Sequence, residues 1–230
     1  MDMTQQKSNV LVITPTIFKN FEELSRCVKS VENQVLPDNI SVCHLIVYDG
    51  FEKDMPEKVF DFKNLYRDII STNQEKSNTW GAYPRQFGID MMNSTTGFFD
   101  DTVFDYVLFL DDDNYLFPEY VNDMFNAIIQ NDADTAICKI YHHGPVNTYY
   151  NNKLEAVNTY DEVVAVISGN PPHLFNIDTL NVMFKSNVWK NNKWVTLKGN
   201  EGYLNDGNTY QKILKDTKNC FVHKILAIHY

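Results

Sequence analysis

No two of the four cysteines stand at C-x-x-C or any other zinc-ligand spacing, which leaves no zinc module to be read from them. Cys27, Cys43, Cys138 and Cys220 fall instead in apolar surroundings such as SVCHLIVY and TAICKIY. Buried free thiols in a reducing, cytoplasmic setting are the expectation. Runs of Lys or Arg are also missing, and the formal net charge is -10 with a pI near 5.0. Such a chain repels nucleic-acid phosphates and anionic lipid, so neither is an expected partner. No apolar run approaches the length of a membrane span, and the opening MDMTQQKSN has no signal-peptide core. Repeats, low-complexity stretches and linkers are lacking as well.

What is present is a chain of 230 residues, 43% of them apolar, enough to bury the core of one α/β domain spanning 1–230. Strands are predicted at 10–14, 41–48, 66–72, 105–110, 133–141, 177–185 and 220–228. Helices are predicted at 20–33, 79–93, 118–130 and 204–215. In the first helix Phe21, Leu24, Val28 and Val31 recur at three-to-four spacing. In the second, Pro84 falls in the first turn, where it is tolerated. The alternation implies parallel βαβ units and a doubly wound, Rossmann-like, mostly parallel sheet. The stretch 141–170, rich in Asn, Tyr and Gly, reads as a hairpin or long loop. The chain stops at Ile228-His229-Tyr230, straight out of an apolar run, as one domain of a longer protein would.

Ligands of such sheets bind outside the carboxyl ends of the strands. The polar residues at those ends are Thr14-Pro15-Thr16, Asp49-Gly50 and Asp111-Asp112-Asp113. Three adjacent carboxylates repel one another, and a divalent cation relieves the repulsion. Mg²⁺ or Mn²⁺ suits such a site, held by one or two carboxylates and by substrate phosphate. If the strand continued, Asp111 and Asp113 would share a face. The same residues would also serve as a polar turn with Asn114 capping the next helix; the apolar strand before them favours the cation.

The segment DYVLFLDDDN resembles the D-x-D region of glycosyltransferases with the A fold (GT-A), above all the inverting family 2. Val10–Thr16 is similar to that family's opening strand and first nucleotide loop. Val47-Tyr48-Asp49-Gly50 is similar to its V-D-D/N-G strand end, and GAYPRQFGI (81–89) to its A-R-N-x-G helix. The resemblance covers most of the chain. It implies a nucleotide-binding half (about 1–115), an acceptor half (about 116–230) with a small antiparallel subsheet, and a nucleotide-sugar donor, UDP-linked for preference. It further implies that Thr14, Pro15 and Thr16 line the base and ribose, that Asp49 binds the base, and that Arg85 contacts nucleotide or phosphate. Asp111 and Asp112 would lie near the ribose and metal-bound water. Asp113 would ligate the metal, with Asp111 beside it. Pro15 would equally end a strand, and Arg85 would equally pair with Asp90.

In the second half, Asn205-Asp206 lies where the family carries its E-D pair, whose aspartate is the general base; here the first residue is Asn. Asp206 is the expected base and Glu201 the reserve, although Asp206 would also serve to cap the helix after it. His229 is expected to complete the metal shell, as a C-terminal histidine does in similar proteins. His223 is the alternative, sharing its face by strand parity. His142 and His143 read as loop histidines or as ligands. Asp178 would bond a sugar hydroxyl or cap a strand. Trp80 and Tyr203 flank the site and would stack on sugar, or simply pack. The implied activity is sugar transfer to a hydroxyl of a glycan or glycolipid. A sugar nucleotidyltransferase would carry a Gly-rich loop after the first strand, and TPTIF (14–18) has no glycine. An aspartyl-phosphate phosphohydrolase would carry its D-x-D there. A non-catalytic nucleotide-sugar-binding domain would have no need of Asp206.

Overall fold

In the computed structural model the first apolar run forms β1 (Ser8–Thr16), buried from Val10 to Thr16. The structure describes residues 7–17, 20–50, 67–71, 75–94, 99, 102–143, 147–150, 153–156 and 165–230. Side chains alternate along a strand, so β1 feeds two cores. Val10 and Val12 join the cluster holding Cys27, Val31, Tyr120 and Met124. Leu11 and Ile13 join the one holding Ala82, Ile89, Tyr210 and Ile213. Helices α1 (Phe21–Glu32) and α3 (Tyr120–Asn131) therefore cover one face, and α2 (Ala82–Met92) and α4 (Asn205–Leu214) the other. All four cysteines are buried and unbridged.

Local chemistry explains the helix starts. Asn20 Oδ1 accepts a hydrogen bond from Glu22 N at 3.0 Å and caps α1. Gly81 precedes α2 at φ 79°, a conformation that favours glycine. Within α2, a Cβ at Gly88 would lie 2.9 Å from Ile13 Cγ2, so the glycine lets the helix lie close on β1.

The remaining strands are β2 (Ile40–Tyr48), β3 (Arg67–Ser71), β4 (Tyr106–Phe109), β5 (Tyr115–Leu116), β6 (Thr135–His142), β9 (Ala165–Ile167), β10 (Val182–Lys185) and β11 (Asn219–His229). Their order is β3-β2-β1-β4-β10-β6-β11-β5, with β9 on β6. Strands β3, β2, β1 and β4 are parallel, as are β6 and β11. Strand β10 is antiparallel to both β4 and β6, so β6 and β11 run the same way as β4. Strands β7 (Asn147–Tyr150) and β8 (Lys153–Ala156) form a separate hairpin, within the stretch expected to hold one. This is the doubly wound, mostly parallel architecture expected from the alternation, with antiparallel strands in the second half. Among the described residues no helix is long and apolar enough to cross a membrane.

Two local expectations fail. The strand predicted from 177 begins only at Val182, because Asp178 caps a 3-10 turn, Thr179–Asn181, as one half of a capping box. The parity argument for His223 fails because β11 is irregular. Its register against β6 slips between Val222 and Ile225 and again between Ile225 and Ala227. The extra residues reverse the alternation, and His223 is exposed beside Lys139 and Asp123, away from His229.

Candidate functional site

Strand direction decides where the polar residues gather. The carboxyl ends of β1, β2, β4, β6 and β11 open on one edge of the sheet, and antiparallel β10 starts there. Thr16, Asp49, the acidic triplet, His142, His229 and the capped turn at Asp178 therefore share that edge. Strand order also reverses at β1, between β2 and β4, which is the switch point where doubly wound sheets hold ligands.

The triplet is a turn. Strand β4 ends at Phe109, and Asn114 N donates to Asp111 O at 3.1 Å, so the strand alternation anticipated for Asp111 and Asp113 does not apply. Asp111 pairs with Arg85 through Oδ1 and accepts from Thr179 Oγ1 through Oδ2 at 3.3 Å. Asp112 Oδ2 accepts from Thr16 Oγ1 at 2.5 Å, which ties the triplet to the end of β1. Asp113 has no ion-pair partner of its own among the described residues. Burial, then repulsion from Asp111 and Asp112, pushes its carboxyl up to about 6. The backbone beneath it is anchored, since Arg26 Nη2 donates to Asp113 O at 2.5 Å while its guanidinium lies 4.0 Å from the Tyr230 ring centroid.

Opposite the turn sits His229, the last residue of β11. Its Nδ1 lies 2.9 Å from Asp178 Oδ2. Asp178 Oδ1 is itself fixed by Leu180 N at 3.0 Å, and it shares the single Thr179 hydroxyl hydrogen, at 3.2 Å, with Asp111. Burial opposes charge on the imidazole, but the Asp178 carboxylate outweighs it and raises His229 to about 9. Burial likewise disfavours the Asp178 carboxylate, yet His229 holds it well below the usual range. His142, paired with His229 in the β6–β11 register, stacks on it with centroids 4.2 Å apart. The two imidazoles and Asp178 bring ligand atoms within 4.8 Å of one another. Buried His142 Nδ1 has no hydrogen-bond partner.

These residues fit a divalent cation. The turn offers a carboxylate crowded by like charge and without a salt-bridge partner among the described residues, faced only at longer range by His229. With Nδ1 committed to Asp178, Nε2 is the atom His229 would offer a cation once its proton is displaced, the arrangement by which carboxylates orient metal-binding histidines. Asp113 and His229 would hold the ion. Asp111, expected beside them, accepts from Arg85 through Oδ1 and from Thr179 through Oδ2, and each oxygen keeps a second lone pair for a cation.

On the nucleotide side the outcome is mixed. Thr16 and Asp49 reach the edge. Asp49 accepts from Ser77 N at 3.0 Å and Ser77 Oγ at 2.8 Å, and its own N donates to Thr16 O at 2.8 Å. Thr14 does not line a ligand surface: it is fully buried, with Oγ1 2.8 Å from His44 Nε2. Pro15 is buried against Gly81, where an added Cβ would lie 3.1 Å from both Pro15 Cγ and the Arg85 guanidinium. Arg85 is only 4% exposed. It pairs with Asp111, not Asp90, and donates to Trp80 O at 3.2 Å, so it supports the acidic turn from below.

The second half adds Asp206, on the first turn of α4. Burial first, and then repulsion from Asp178, pushes its carboxyl up to about 7, while Arg85 works the other way. Its Oδ1 accepts from Gly207 N at 2.8 Å. Asn205 stands where the resembled family has Glu, and its geometry gives a reason. The buried amide accepts from Leu197 N at 2.7 Å and donates to Thr79 O at 2.8 Å and Leu197 O at 3.0 Å. A carboxylate has no hydrogen for those carbonyls. Glu201 and Tyr203 are exposed on the 3-10 segment Gly199–Leu204 that leads into α4. Trp80 is exposed beside that segment, with Nε1 donating to Gly199 O at 2.8 Å.

Sequence reasoning missed Thr179, which bridges Asp111 and Asp178, and also Ser77 and Arg26. Only Thr179 carried a signal: Asp178 and Asn181, three apart, form a capping box. The roles of Ser77 and Arg26 depend on long-range approach and leave no local pattern.

The fold and its polar edge define a GT-A type of nucleotide-binding α/β protein. The chain belongs to glycosyl transferase family 2, whose profile matches residues 11–191; the match stops before Asp206 and His229. The chain is 32% identical over 131 residues to the poly(ribitol-phosphate) beta-N-acetylglucosaminyltransferase TarP of Staphylococcus aureus, covering 56% of this chain and 36% of TarP. Its fold is similar to crystal structures of S. aureus TarS 1-349. One superposes with a TM-score of 0.62 at 18% identity, over 96% of this chain and 60% of that one, and another contains UDP-GlcNAc. It is also similar to the mannosyltransferase PcManGT of Pyrobaculum calidifontis in complex with GDP-Man and Mn²⁺, with a TM-score of 0.58 at 10% identity, over 97% of this chain and 57% of that one. The chain thus spans less than two thirds of the length of each of these relatives.

Proposed function

We propose that this chain transfers a sugar from a UDP-sugar to a hydroxyl of a glycan or glycolipid acceptor, with inversion and with Mn²⁺ or Mg²⁺ bound. The observation that carries the reading is the gathering of three chemically distinct parts on one sheet edge: the acidic turn, the His229–Asp178 pair, and Asp206 at the start of α4. Family membership supports transfer chemistry. The UDP-GlcNAc and GDP-Man–Mn²⁺ complexes of structural neighbours support a nucleotide-sugar donor and a divalent ion. A bound cation supplies charge stabilisation to the departing diphosphate.

This chain's residues divide the remaining work. Asp49 and the Thr16 end of β1 receive the nucleoside. Asp113 and His229 hold the ion, while Arg85 and Thr179 fix Asp111 beside it. Asp206 accepts the proton of the acceptor hydroxyl, and its environment suits the task, since a base is most effective with a pKa near the working pH. The nucleotide-facing half is residues 1–115 and the acceptor-facing half 116–230.

A thermal-shift screen of nucleotide-sugars with Mn²⁺ tests the reading. UDP-sugars are expected to raise the melting temperature, because a ligand that binds only the folded state stabilises it by mass action. A screen in which no nucleotide-sugar moves the transition would sink it. The histidine geometry has its own consequence. Asp178→Asn is expected to weaken Mn²⁺ binding about 10- to 100-fold, the usual cost of losing a partner that orients a metal-binding histidine. Calorimetry with unchanged Mn²⁺ affinity would show that Asp178 does not serve His229 in this way.

A further inference from the structure

We propose that Trp80 is a fixed aromatic platform that receives a pyranose ring of the acceptor; this rests on the transferase reading above. Of the three tryptophans, Trp189 and Trp194 are buried in the core, and only Trp80, 64% exposed, meets solvent. An exposed indole is normally free to swing, but this one is held at two points of its ring and its backbone is tied at a third. Its N–H is spent on Gly199 O at 2.8 Å. Its ring lies against Gly202, where any Cβ would run into Cδ1. Its carbonyl accepts from Arg85 Nη1 at 3.2 Å.

The backbone adds a second, independent observation. Trp80 has φ 52°, the left-handed region that a bulky residue adopts only when its surroundings impose it. Such outliers gather at functional sites. Asn78 and Gly81 on either side also have positive φ. Two further bonds tie this strained loop to the segment around the start of α4: Gly199 N to Asn78 O at 3.1 Å, and Asn205 Nδ2 to Thr79 O at 2.8 Å. The chain thus holds one large apolar face in a set orientation, open to solvent, and the lack of a side chain at Gly202 makes room for it.

Position selects the ligand. Gly202 is four residues before Asp206, and Asn205, adjacent to Asp206, bonds the residue adjacent to Trp80. The platform therefore belongs with the proposed base, and hence with the acceptor, while Arg85 joins the far side of the loop to Asp111 in the acidic turn. An aromatic face suits the apolar C–H face of a pyranose, whose hydroxyls point outward around the ring. An acyclic polyol presents no such face.

The experiment exploits Trp80 being the one exposed tryptophan, so acrylamide quenching of emission reports on it. The full chain is titrated with methyl glycosides of N-acetylglucosamine, glucose, galactose and mannose, and with ribitol, each with and without UDP and Mn²⁺. At least one glycoside is expected to protect the fluorescence and ribitol to leave it unchanged. By saturation-transfer NMR, Trp80→Ala should weaken that glycoside about tenfold, the scale of a lost aromatic contact. Trp80→Phe should retain most of the binding. Gly202→Ala, which pushes the ring aside, should reproduce the loss and serves if Trp80→Ala does not fold. Protection by ribitol alone, protection by no glycoside, or undiminished glycoside binding in both Trp80→Ala and Gly202→Ala overturns the proposal. UDP without any effect on the protein would instead overturn the nucleotide reading, and the glycoside titrations made without UDP would still decide the role of Trp80.

Discussion

Asp113→Ala is expected to abolish cation-dependent nucleotide binding while leaving the fold intact. Of the three aspartates it alone has neither a salt bridge nor a side-chain donor within hydrogen-bond distance among the described residues: Asp111 has Arg85 and Thr179, and Asp112 has Thr16. Calorimetry of UDP with Mn²⁺ should show a loss of more than about 100-fold, beyond the cost of merely disturbing a residue that orients a ligand. The same variant carries an internal control on stability. The Asp113 carboxyl is raised from its ordinary value to about 6 by burial and by its acidic neighbours. A carboxyl raised in the folded state favours folding while protonated, and that contribution is lost as pH rises through the folded value. Without metal, the wild type should therefore lose stability relative to Asp113→Ala as pH climbs from 4 to 7.5. Added Mn²⁺ should close the gap at pH 7.5 by stabilising only the wild type. Mn²⁺-dependent UDP binding that survives in Asp113→Ala would remove this residue as the ligand.

The sheet was legible because its information is local. Apolar β-branched runs and helical spacing put β1, β2, β4, β6 and four helices within a few residues of their observed bounds. The parallel direction of most strands then followed from alternation, while their order in the sheet did not. The site was legible to the extent that it lies at strand ends. Thr16, Asp49 and the acidic turn were found that way. What the sequence concealed was how deeply side chains lie and the direction in which they point. Thr14 and Thr16 share one face of β1 and look interchangeable, yet Thr14 lies deeper, on His44, and only Thr16 at the strand end reaches Asp112. Arg85 sits in a motif that resembles a nucleotide contact, yet helix α2 buries it under Asp111. His223 and His229 agree in parity only on an unbroken strand, and β11 is bulged between them. Pairings such as Asp178 with His229, 51 residues apart, depend on topology and have no local trace.

Asp206→Asn tests the chemistry itself. The substitution keeps the shape of the side chain and its capacity to accept from Gly207 N, so binding of donor and cation should be unchanged. Transfer should fall about 10²- to 10⁴-fold, the contribution of a positioned general base. The pH profile separates a base from a structural carboxylate. Burial and the Asp178 charge push the Asp206 carboxyl up to about 7, and only the ionised form can accept a proton. For the wild type, kcat/KM should therefore rise with pH through about 7 and level off above it. The residual activity of Asp206→Asn should lack that inflection. Stability should move the other way. A raised carboxyl favours the folded state when protonated and loses that contribution as pH passes its folded value, so Asp206→Asn should melt above the wild type at pH 8 and lose this advantage near pH 4. A residue that lowers activity when replaced yet destabilises the fold when ionised is one retained for chemistry. Full transfer in Asp206→Asn would move the base to Glu201, the exposed carboxylate on the segment before α4, and would leave the raised Asp206 carboxyl as a consequence of burial beside Asp178 alone.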